Sequence, residues 1–193
     1  MEAIRSDVIG AFNRFLAEQR PLPGDCRLTL VQFDDEYEVV YSGRALSDAP
    51  DLTADTFQPG GSTALLDAIG RTIRDIDRRL SAVPLGEGHQ NVLVAVLTDG
   101  LENASSEYTR DRVLEMVKTR TDTGWTFLFL AANQDAIAEA EKVGIGARQS
   151  LNFAATGQGI RAGTHALSEA VSEYRTGGSA SFSPSSRLPK KVH

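Results

Sequence analysis

The stretch Asn91–Asn103, NVLVAVLTDGLEN, constrains the fold more than any other part of the chain. Val92 to Leu97 are apolar without interruption and rich in β-branched valine. Such a run, of strand length and bounded by polar or turn residues, belongs to a strand buried on both faces, as in a parallel sheet. It ends at Thr98-Asp99-Gly100, so a carboxylate sits just past the strand's carboxyl end and a glycine lets the chain turn away. In open α/β sheets that end is where ligands bind. Asp99 is the residue around which the chain is expected to be organised.

The rest of the sequence alternates between two periodicities. Ile4, Val8, Ala11, Phe12 and Phe15 fall at helical spacing and predict a helix from near Met1 to before Pro21. Arg27–Phe33 and Tyr37–Tyr41 read as the strands of a hairpin around Asp34-Asp35-Glu36, an acidic tip best read as solvated. A long polar connection, 42–61, follows. Leu66, Ile69, Ile73, Ile76 and Leu80 then mark one face of a helix with Ser62 as its expected N-cap. After the Asp99 loop, Val113, Met116 and Val117 predict a helix capped by Ser106 or Thr109, and Trp125–Ala131 a second apolar strand. Ala136, Ile137 and Ala140 give a short helix closed by Gly144, Ser150–Phe153 a short strand, and Ile160, Leu167, Val171 and Tyr174 a last helix stopped by Gly177-Gly178. The expectation is a layered α/β sandwich with one mostly parallel sheet and one antiparallel edge strand. Residues 1–175 form its single domain, and the Ser/Gly/Pro-rich 176–193 read as a disordered tail.

Charge and composition exclude several classes of function. A net charge of -6 with scattered arginines opposes non-specific nucleic-acid binding, which needs a basic face. The single cysteine, Cys26, allows no internal disulfide and reads as a buried, inert thiol. The amino terminus has no secretory pattern and no apolar stretch reaches membrane-spanning length, so a cytoplasmic protein without membrane contact is expected.

Three loops are expected at the carboxyl edge of the sheet: Pro59–Thr63, Thr98–Gly100 and Ala132–Asp135. A hydroxyl from one and a carboxylate from another suit a hard divalent cation with oxygen ligands, Mg²⁺ above all. The segments GGSTALLDAI (60–69), VAVLTDGLENAS (94–105) and FLFLAANQDA (127–136), in that order, resemble a von Willebrand factor type A domain of the small stand-alone bacterial or phage kind. The resemblance implies a Rossmann-like three-layer fold and a metal-ion-dependent adhesion site. Thr63 matches the directly binding Thr of the family's second loop and Asp99 the Asp of its third. Ser62, Gly100, Glu102 and Asn133 would form the rim. A protein partner would offer an acidic side chain to the metal, which is binding chemistry rather than catalysis.

The chain departs from the family pattern in one respect. It contains no Asp-x-Ser-x-Ser, and no strand precedes the first helix. In the family that strand lies between those matching Arg27–Phe33 and Val92–Leu97. The site expected here is therefore incomplete, with weak Mg²⁺ binding at most. Three outcomes are open: a fragment or a misplaced start, direct pairing of the flanking strands, or a strand supplied by another chain. The first is the expectation, and unpaired strand edges also invite self-association. Two other functions stand beside the binding module: a metal-assisted α/β hydrolase using Asp99, and a structural remnant that binds nothing. Gly60–Ala64 lacks the final glycine of a nucleophile elbow, and neither His89 nor His165 sits in a motif.

Overall fold

Apolar residues at the two spacings set the elements of the computed structural model, which describes residues 4–82, 91–132, 136–183 and 186. Helix α1 (Arg5–Gln19) precedes a hairpin of β1 (Arg27–Phe33) and β2 (Tyr37–Ala45), followed by α2 (Leu65–Ser81). Then come β3 (Leu93–Thr98), α3 (Arg110–Asp122), β4 (Thr126–Ala132), α4 (Ala136–Glu141), β5 (Ser150–Phe153) and α5 (Gly157–Arg175). Gly144 and Gly177, which close α4 and α5, have φ of 84° and 90°, where a side chain would be strained.

β3, β4 and β5 form a parallel sheet in that order, with Val94 opposite Phe127 and Leu130 opposite Leu151. Strand side chains alternate between faces, so the continuous apolar run of β4 feeds two cores. Phe127, Phe129 and Ala131 pack with Val94, Val96, Leu66, Ile69 and Ile73 of α2 and Val113 and Val117 of α3. Leu128, Leu130 and Ala132 pack with Ile4, Val8 and Ala11 on the α1 side and Ile160, Ala166 and Ala170 of α5. Helices thus cover both faces of this sheet.

The hairpin does not join it. β1 and β2 pair antiparallel as a separate sheet, with register shifts around Leu30, in place of the single mixed sheet expected. Direct pairing of β1 with β3 does not occur among the described residues. The hairpin is tied on by helices instead. On one face Leu16 of α1 packs with Tyr41, Leu46 and Ala49, against which Leu28, Leu30 and a half-buried Cys26 also rest. On the other, Phe33 packs into the α2–α3 core, the Tyr37 hydroxyl lies 3.2 Å from Thr72 Oγ1, and Arg79 donates to Thr29 Oγ1 at 2.8 Å.

One expectation changes and one choice is decided. The expected tail is docked as far as Phe182: Ala180 and Phe182 are buried in the α1–α5 core, and the Phe182 amide donates to the Arg148 carbonyl at 2.9 Å. Apolar side chains inside a Ser/Gly-rich run supply that anchor. α3 is capped by Thr109, whose side chain accepts from the Arg112 amide.

Tyr41 is a buried exception to the rule that polar groups pair. Its hydroxyl has no hydrogen-bond partner among the described residues, and burial pushes its pKa up to about 12. Tyr41→Phe removes this unsatisfied oxygen and keeps the ring. It should leave stability unchanged or raise it by up to about 1 kcal/mol, measured by urea unfolding.

Candidate functional site

The carboxyl ends of β1 and β3 meet at one rim through the loop before α2. The Asp34 carbonyl accepts from the Ala64 amide at 2.6 Å, and the Asp34 carboxylate lies so close to Gly60 that a side chain there would overlap it. Thr63 reaches the next loop: its amide donates to Asn103 Oδ1 at 2.8 Å and its carbonyl accepts from the Asn103 amide at 3.1 Å. The Thr63 hydroxyl presses against Gly100, where a Cβ would collide with Oγ1. Glycine is required at position 100 for this close approach. Thr98 Oγ1 pins the same turn, donating to the Gly100 carbonyl at 3.0 Å and accepting its amide at 3.2 Å. Thr63 is buried and Asp99, one residue before Gly100, is exposed.

Ser62 does not cap α2. The helix starts at Leu65 with Ala64 as N-cap and no side-chain cap of its own. Its free amides are satisfied from far along the chain. Leu66 N–H donates to Glu102 Oε2 at 2.9 Å and to Ser105 Oγ at 3.0 Å, and Asp67 N–H donates to Ser105 Oγ at 3.1 Å. Ser105 Oγ in turn donates to Glu102 Oε2 at 2.7 Å, while Glu102 Oε1 accepts the amides of Ala104 and Ser105 at 3.1 and 2.8 Å. The helix reciprocates through Asp67, 6% exposed, whose carboxylate accepts the amides of Ser106, Glu107 and Tyr108 at 2.9, 3.0 and 2.7 Å. Tyr108 closes the lock by laying its ring on Gly70. Outside it, Arg71 and Arg74 grip Glu107 at 2.6 and 2.9 Å.

Electrostatics follow this bonding. Burial pushes Asp67 up, yet the three amides and the Arg71 charge outweigh it and leave its carboxyl below the ordinary value. Burial likewise raises Glu102, and bonds from Ser105, Leu66 and Ala104 bring it below the ordinary value. Both are held as anions that fasten loops. Thr63 and Asp99, which the sequence pairs, do share the rim, whereas Glu102 spends its oxygens on the lock. Asn133 lies outside the described residues. Asp67 and Ser105 were missed by the sequence reading, because their partners lie about forty positions away and leave no local pattern.

Magnesium takes an octahedral oxygen shell and keeps several waters, with one or two protein carboxylates. The Thr63 hydroxyl and the Asp99 carboxylate fit that shell in kind but fall short of it in number. Among the described residues, no group of three or more acidic, His or Cys side chains is placed to hold an ion.

No family model matches the chain, and no curated protein matches it. The geometry of the rim therefore carries the functional argument.

Asp67→Ala should cost about 2–3 kcal/mol in urea unfolding, because three part-buried amides lose a charged acceptor. The pH dependence follows from the lowered values. The contribution is complete above the unfolded carboxyl values near pH 4 and fades as pH falls through the folded ones. Asp67→Ala should accordingly flatten the loss of stability measured below about pH 4.

Proposed function

We propose that the chain is a protein-binding module of the von Willebrand type A kind, with a Rossmann-like layered body and its recognition surface on the Asp34–Thr63–Asp99 rim. The observation that carries this reading is the Thr63 hydroxyl held against the backbone that follows Asp99. A hydroxyl and a carboxylate from loops 36 positions apart are brought to one edge by Asn103 and the Glu102–Ser105 cap. Thr63 and Asp99 would contribute two oxygen donors to Mg²⁺. When bound, the ion supplies positive charge that attracts an acidic side chain of the partner protein. Leu101, 55% exposed beside Asp99, offers an apolar contact next to that charge.

Binding is favoured over catalysis by the state of the nearby carboxylates. A general acid or base works best with a pKa near the operating pH, whereas Asp67 and Glu102 are shifted the other way and saturated with amide donors. The net charge of -6 speaks for a protein rather than a nucleic-acid partner, in a cytoplasmic setting. Among the described residues no helix is long and apolar enough to cross a membrane.

Titration with Mg²⁺ followed by amide NMR tests the reading. Shifts should be confined to residues 60–64 and 98–103, half-saturate at about 1 mM or above, and vanish in Asp99→Ala and Thr63→Ala. Tight binding, or binding that survives both substitutions, would contradict it.

A further inference from the structure

A strand inside a sheet bonds a neighbour along each edge, and an edge left bare is a template for pairing. β3 bonds β4 along one edge, and among the described residues its other edge bonds no strand. Among the described residues β1 likewise bonds β2 alone. The two bare edges belong to strands that run the same way. β1 leads into Asp34, whose carbonyl holds Ala64, and β3 leads into Gly100, against which Thr63 rests. Both strands therefore end at one rim.

The line from one edge to the other is bridged by a helix on each face. α2 spans it on one face, packing Leu66, Ile69 and Ile73 with Val94 and Val96 of β3 while its Thr72 and Arg79 reach the hairpin. α1 spans it on the other, with Val8 and Ala11 in the core that Leu93 and Leu97 join and Leu16 in the core that Leu28 and Leu30 join. Between Leu93 and Leu97, Ala95 is exposed although it lies at the centre of the most apolar run in the chain. A doubly apolar strand sequence normally marks a strand covered on both faces and bonded along both edges.

We propose that the slot between β1 and β3 receives one extended apolar strand from a second polypeptide, running parallel to both. Only an extended backbone presents N–H and C=O groups to two edges at once. Its side chains meet the α2 core on one face and the α1 core on the other, so both faces must be apolar and free of charge. This inference does not depend on Mg²⁺ binding. Its experiment reads strand amides, so its failure and that of the cation reading are told apart.

The probe is a peptide copying residues 91–100 of this chain, with two lysines added for solubility, mixed with the full chain and followed by hydrogen exchange. Backbone amides of both β1 and β3 should slow by about tenfold or more. Ala95→Arg places a charge in the slot at a position already exposed in the free chain, so it should keep the melting temperature and lose the slowing. Slowing on one strand alone, or on neither, overturns the proposal. So does equal slowing by a peptide with lysine at alternate positions, or undiminished slowing in Ala95→Arg. Free-chain β1 and β3 amides already as protected as those of β4 also overturn it.

Discussion

Glu102 and Ser105 accept the first free amides of α2, and Asp67 of α2 accepts the amides that lead into α3. Helix ends must satisfy their unpaired N–H groups, and a local side chain is the common solution. This helix has none, so the obligation is met by a loop about forty residues on. The consequence is a mutual constraint: the loop cannot move without exposing helix amides, and the helix cannot fray without releasing the loop. Thr63 and Gly100 lie inside that constraint, which is why a hydroxyl and a carboxylate-bearing turn meet at one place.

The packing below the rim makes the constraint stiff. Phe129, Leu128 and Leu130 are fully buried, and alternate β4 side chains feed the cores on either face of the sheet. Close-packed interiors transmit displacement, so α2 seated on Val94 and Val96 fixes the height of Thr63 above β3. The hairpin is held more loosely, by helices and side-chain bonds rather than by a ladder. The three-stranded body has both ladder and lock, while among the described residues no strand bonds the β3 edge facing β1.

Much of the fold was legible in the sequence for physical reasons. The runs Val92–Leu97 and Trp125–Ala131 announced buried parallel strands because no polar residue interrupts the first and only Thr126 the second. Ser150–Phe153 matches β5, and Gly144 and Gly177 mark helix ends through their positive φ. Of the rim, Asp99 was legible because it sits just past an apolar strand, and Thr63 because it stands just before an apolar helix face. What escaped was non-local. The Ser62 cap failed because local spacing cannot register Glu102 and Ser105 arriving from another loop. The split between the two sheets left no trace in periodicity, since an unpaired edge changes hydrogen bonding without changing which side chains are apolar.

The central claim is that Asp67 and Glu102 act as one device, each holding the loop that the other requires. A double-mutant cycle of Asp67→Asn and Glu102→Gln, read by urea unfolding, measures that coupling directly. Two halves of one lock should couple by about 1 kcal/mol or more, the double variant being less destabilised than the singles sum to. Losses that add within about 0.3 kcal/mol would show two independent caps and contradict the account.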